Sequence, residues 1–121
     1  RTAVVTGSNS GIGLGIAIEL ARAGADVVLN SFTDRTEDHA LAAKLSLEHG
    51  VAVRYVAADM SKGDDCRRLV ADAGRCDILV NNAGVQHVAP IEEFPAEQWN
   101  RILAINLSSA FHTTAAALPG M

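Results

Sequence analysis

Thr6-Gly7-Ser8-Asn9-Ser10-Gly11-Ile12-Gly13 decides the fold of this sequence. The apolar Ala3-Val4-Val5 precedes it, and a helix-like stretch from Ile12 to Ala23 follows. A strand that feeds a glycine-rich turn and then a helix is how parallel α/β proteins hold a pyrophosphate. Glycines let the backbone approach the phosphate oxygens. The first-turn N–H groups of the helix have no internal acceptor and point at the anion. The spacing is T-G-x-x-x-G-x-G rather than G-x-G-x-x-G, and a second segment downstream, Asn81-Asn82-Ala83-Gly84, strengthens the reading.

Outside these segments, short apolar runs alternate with stretches of helical period. Strands are predicted at Thr2–Thr6, Asp26–Asn30, Val51–Ala57 and Ile78–Val80, apolar on both faces as in a sheet covered by helices on both sides. Helices are predicted from Ile12 to Ala23, from about Arg35 to His49, from Ser61 to about Ala73, and from Pro95 to about Leu118. Asp34 with Glu37 reads as a capping box for the second helix, and Ser61 with Asp64 as the start of the third. The order βαβαβαβα predicts a Rossmann-type, doubly wound parallel sheet with strand order 3-2-1-4. Its ligand crevice would lie at the switch point between strands 1 and 4.

Composition narrows the class. A chain of 121 residues, 49% hydrophobic, is one domain with a sizeable core. The net charge of −4 lacks the basic footprint of a nucleic-acid binder. No apolar run approaches the roughly 20 residues of a membrane span, and no stretch has a signal-peptide pattern. Cys66 and Cys76 lack metal-ligand spacing and read as two reduced thiols, with a cytoplasmic location expected.

The candidate functional residues fall at the carboxyl ends of the predicted strands. Gly7, Gly11 and Gly13, with Ser8, Asn9, Ser10 and Ile12, form a dinucleotide cradle. At the end of the second strand, an acidic residue would bind both ribose hydroxyls and a basic one would favour a 2′-phosphate. Asn30, Ser31, Phe32 and Ser10 are all uncharged, which points to NAD over NADP, while nearby Arg35 keeps NADP open. Asp59 follows the third strand, where a carboxylate accepts from an adenine amine or caps a helix, with the Met60 N–H near the ring. Asn82, Ala83 and Gly84 are small enough for a nicotinamide ribose to lie against backbone. Gln86 and His87 follow at the sheet edge, as a carboxylate donor and a pocket wall. Trp99, Ile102, Leu103, Asn106 and Ala110 share one helical face, so Asn106 is expected among core positions. A buried amide there would need partners, either another helix or a backbone carbonyl beside the active site.

With Thr6 to Gly13, Asp59, Asn81 to Gly84 and Asn106 in order, the chain resembles the short-chain dehydrogenase/reductase family over nearly its whole length. The resemblance implies hydride transfer between NAD and a small hydroxy or keto acid. It assigns Gly7, Ser8, Ser10, Gly11, Ile12 and Gly13 to the pyrophosphate, Phe32 to the adenosine end, and Asp59 and Met60 to the adenine. Asn82, Ala83 and Gly84 become the nicotinamide wall, and Gln86 the group that binds the substrate carboxylate. Asn106 takes the asparagine position of a catalytic Asn-Ser-Tyr-Lys group. The family's Ser and Tyr-x-x-x-Lys have no counterpart here, since no lysine lies four residues after the one tyrosine, Tyr55. The chain is therefore expected to be the amino-terminal part of a homo-oligomeric, tetrameric enzyme and to be inactive alone. A reductase of carrier-protein-bound 3-oxoacyl thioesters and a dinucleotide-binding module without chemistry stay open as alternatives.

Overall fold

The computed structural model describes residues 1–121. Strands β1 (Thr2–Val5), β2 (Asp26–Ser31), β3 (Val53–Ala57) and β4 (Ile78–Val80) form one parallel sheet in the order β3-β2-β1-β4. Between them run α1 (Gly11–Arg22), α2 (Thr36–His49) and α3 (Gly63–Ala73). A long helical segment follows β4 as α4 (Ala96–Leu103), a π-helical stretch (Ala104–Ser108) and α5 (Ser109–Ala117).

The two-residue period of the strands sorts the core into two layers. Val5, Val27, Leu29 and Tyr55 pack on one face with Ala17, Ala21, Ala42 and Leu45 of α1 and α2. Val4 and Val28 point to the other face, where Leu69 and Val70 of α3, Ile105 and Ala117 cover them. Burial of each Val or Leu side chain contributes about 1.5–3 kcal/mol. The centre of the sheet is therefore rigid, and the loops at its carboxyl edge are held from below.

Two local expectations are corrected. No full box forms at the start of α2: only its return half is made, and by Asp38 to the Arg35 N–H rather than by Glu37 to Asp34. The backbone stays extended through Arg35, so the third helical position falls on Asp38, whose Oδ2 accepts the Arg35 N–H at 3.0 Å. Asp34 instead pairs with His39 Nε2 at 2.6 Å. Ser61 does not cap α3, because its N–H and hydroxyl both donate to Asp59 Oδ1, at 2.9 and 2.7 Å, and the helix begins at Gly63.

The last helix differs most from its sequence pattern. Trp99, Leu103 and Asn106 are exposed, and the buried stripe is Ile105, Ser109, Thr113 and Ala117. Trp99 and Leu103 precede the π stretch and turn outward on α4, whereas from Ile105 onward the buried positions recur four apart, along one helical face. The buried Ser109 and Thr113 hydroxyls return to the carbonyls of Ile105 and Ser109, at 2.5 and 3.0 Å. No helix is long and apolar enough to cross a membrane.

Candidate nucleotide-binding cleft

The glycine-rich turn is fastened from three sides. Ser8 is fully buried; its hydroxyl donates to the Val5 carbonyl at 2.7 Å and accepts the Asn30 N–H at 2.9 Å. Asn30, also buried, spans three strand ends: its amide donates to the Val56 and Ala58 carbonyls (3.0 and 3.2 Å) and accepts the Gly7 N–H at 3.2 Å. The Thr6 hydroxyl accepts the N–H groups of Asn82 and Ala83, at 3.0 and 2.9 Å, and Asn82 Nδ2 donates to the Thr6 and Gly7 carbonyls, at 3.1 and 2.9 Å. These bonds lock the two sequence motifs together across the β1–β4 switch point.

Gly7 and Gly11 sit in the left-handed region, at φ 59° and 60°. A Cβ on Gly7 would come within 3.0 Å of Ala83 Cα. Gly13 lies underneath, where a Cβ would stand 2.4 Å from both Asn82 Nδ2 and the Gly7 carbonyl oxygen. Ser10 is the N-cap of α1 but makes no capping bond with its side chain, and the N–H groups of Gly11, Ile12 and Gly13 have no acceptor within the chain. The mouth of the turn thus presents unmatched donors at the positive end of a helix, which suits an anion.

Above the turn lies a cleft of about 610 Å³. Of the residues expected at a cofactor, Gly7, Ser10, Ile12, Phe32, Asp59, Met60, Asn82, Ala83 and Gly84 line it. Three others lie outside the lining: Gly11, Gly13 and Ser8, the last with both its hydroxyl and its N–H bound within the protein. Asn30, weighed as a ribose neighbour, touches the cleft but has its amide engaged by the strands. Gln86 and His87 are exposed beyond Val85 and outside the lining, with the His87 ring edge-on to Phe94 at 5.3 Å.

The Asp59 carboxyl is held below its ordinary value; burial opposes the charge, but the Ser61 hydroxyl and N–H bonds outweigh it, with Lys62 and Arg101 adding attraction. Asn106 is exposed yet fully engaged: Oδ1 accepts the Val85 N–H at 2.8 Å and Nδ2 donates to the Val85 carbonyl at 2.9 Å. This two-pronged grip fixes the loop directly after Gly84, and Asn106 makes it from within the π-helical stretch. Of the two partners the sequence left open, the structure shows the backbone.

Sequence reasoning missed Arg101, Val85 and the part played by Thr6. Arg101 stands on the exposed side of α4 and reaches the cleft only through tertiary packing, so it leaves no local signal. Thr6 was legible as part of the motif, but its two accepted N–H bonds depend on β4 lying beside β1.

Sheet order, switch-point cleft and donor-rich turn define a Rossmann-type α/β protein. Residues 1–121 match the short chain dehydrogenase family throughout, and the chain belongs to it. It is 56% identical over 125 aligned positions to D-beta-hydroxybutyrate dehydrogenase of Cupriavidus necator, covering 100% of this chain and 48% of that protein. The D-beta-hydroxybutyrate dehydrogenase of Rhizobium meliloti is 51% identical, with the same coverage. The chain spans about half the length of these curated relatives. Among solved structures, L-sorbose reductase from Gluconobacter frateurii, complexed with NADPH and L-sorbose, superposes with a TM-score of 0.92 at 34% identity, covering 100% of this chain and 47% of that one. An NADH-dependent reductase complexed with NAD gives 0.91 at 35% identity, covering 99% and 51%.

Proposed function

We propose that this chain is the cofactor-binding, amino-terminal half of an NAD-dependent oxidoreductase that interconverts D-3-hydroxybutyrate and acetoacetate. The observation that carries the reading is the turn from Gly7 to Gly13, with unmatched α1 donors opening into a 610 Å³ cleft lined by Asn82 to Gly84. Identity of 56% to a hydroxybutyrate dehydrogenase over the whole chain supports the substrate.

The residues present fit a nicotinamide dinucleotide. The backbone N–H of Ile12, at the cleft wall, receives the pyrophosphate, with Gly11 and Gly13 shaping the turn that presents it. Phe32 and Ser31 flank the adenosine ribose, and Asp59 and Met60 the adenine. Ala83 and Gly84 offer a wall without bulk. When bound, the cofactor supplies the hydride acceptor or donor. Asn106 is a positioning residue here: it holds Val85 and so sets the loop that leads to Gln86, the proposed donor to the substrate carboxylate. Tyr55 is no proton donor to substrate, because it lies buried in β3 with its hydroxyl given to the Thr33 carbonyl. The general acid comes from outside these 121 residues in this reading, as do the contacts that assemble a tetramer on the exposed Leu103, Leu107 and Phe111 stripe.

The test is steady-state kinetics on the intact enzyme that contains this chain. NADH oxidation is expected with acetoacetate, and Gln86→Ala is expected to raise KM for acetoacetate more than for an uncharged ketone. Preference for an acetoacetyl thioester over acetoacetate would overturn the substrate assignment. Absence of turnover with both, alongside retained NAD binding, would favour a binding module.

A further inference from the structure

Arg35 is the cation that could make this cleft a home for a 2′-phosphate, and it is already occupied. It lines the cleft corner formed by Asn9, Ser10, Ser31 and Phe32. Its guanidinium grips the Asp38 carboxylate with two groups, Nη2 to Oδ1 at 3.1 Å and Nε to Oδ2 at 3.4 Å. Asp38 is 2% exposed, and it also accepts from Asn9 Nδ2 (3.1 Å), Thr33 Oγ1 (2.8 Å) and the Arg35 N–H (3.0 Å). Glu37 lies 4.0 Å from the guanidinium as a more exposed second anion. A buried carboxylate with this many donors does not release them, and a planar guanidinium held at two nitrogens has lost its best face for another oxyanion.

We propose that Asp38 is a specificity-determining residue: by holding Arg35 and Asn9 it neutralises the cation at the cleft corner and sets the preference for NAD over NADP. The inference rests on the reading of the cleft as a dinucleotide site. Asp38 lies on α2 outside the cleft lining, so it acts through Arg35 and through the turn rather than by touching cofactor. With Asp38 neutral, Arg35 keeps its place on the rim and its charge becomes available to a 2′-phosphate. The weak, exposed Glu37 contact competes little.

The test compares Asp38→Asn and Asp38→Ser in the intact enzyme, with Arg35→Ala added to each. Dissociation constants for NADH and NADPH, and for AMP and adenosine 2′,5′-bisphosphate, are measured by calorimetry. The last pair reports 2′-phosphate recognition without any catalysis. Both single variants are expected to shift the NADPH-to-NADH affinity ratio about tenfold toward NADPH, the scale of one charge-assisted contact at a partly exposed site. The bisphosphate-to-AMP ratio should move with it, and Arg35→Ala should abolish the gain. Unchanged ratios in variants that still bind NADH would overturn the proposal alone. A gain that survives loss of Arg35 would do the same. A parent enzyme that binds neither dinucleotide would overturn the reading of the cleft and this inference together.

Discussion

Two glycines of one helix, Gly13 and Gly15, should answer alanine in opposite directions. Both lie in α1, where alanine is favoured over glycine by about 0.8–1.0 kcal/mol. At Gly15 a Cβ meets nothing within 4 Å, so Gly15→Ala should stabilise the protein by up to about 1 kcal/mol. At Gly13 the same Cβ stands 2.4 Å from Asn82 Nδ2 and from the Gly7 carbonyl oxygen, the two ends of a 2.9 Å hydrogen bond. The buried turn cannot yield without parting the motifs it joins. Overpacking costs about 1–3 kcal/mol, and a strained or lost clamp bond about 0.5–1.5 kcal/mol more. After the helical gain is subtracted, Gly13→Ala should destabilise by about 2 kcal/mol, roughly a thirtyfold fall in the folded-to-unfolded ratio. Urea unfolding of the intact enzyme measures both variants, and an NADH titration should show weakened binding for Gly13→Ala only. Equal, stabilising shifts at both positions would refute the clamp.

Thr6→Val keeps the shape but leaves the Asn82 and Ala83 N–H groups without their acceptor, so it should cost about 1–3 kcal/mol and weaken NADH binding, as read by urea unfolding and titration. Asp38 is held well below the usual carboxylate range, chiefly by the Arg35 side chain, against the opposing effect of burial. Its contribution to stability is therefore complete above the unfolded carboxylate value of about 3.9 and fades as pH falls toward its lower folded value. The stability gap between wild type and Asp38→Asn, followed by denaturant midpoints, should narrow below about pH 4, and a gap that widens there would contradict the assignment. Burial pushes both the Cys66 and Cys76 thiols upward, so neither should react with an aromatic disulfide reagent until the protein is unfolded.

What the sequence disclosed and what it withheld divide along a physical line. Strand order and the position of the cleft were legible because they follow from local periodicity and from the handedness of βαβ units, which act within each segment. The turn was legible because its glycines answer a backbone requirement. Asp38 was hidden because the capping pattern points one residue earlier, to Asp34 and Glu37, while an arginine at the N-cap position carries no capping signal. Asn106 was named, but its burial was misjudged. Counting one face at 3.6 residues per turn says which residues share a face but not which face is buried, and Ala104 to Ser108 depart from that repeat as well. That departure is itself informative. A helix gives up regular bonding at the one amide whose two polar atoms match the two polar atoms of Val85. The local irregularity and the exposed amide are thus one feature, and the loop after Gly84 owes its shape to both. If Asn106→Ala leaves the amide exchange of Val85 unchanged while the π turn persists, the coupling is wrong. Faster exchange at Val85 with the sheet amides unaltered is the expected result.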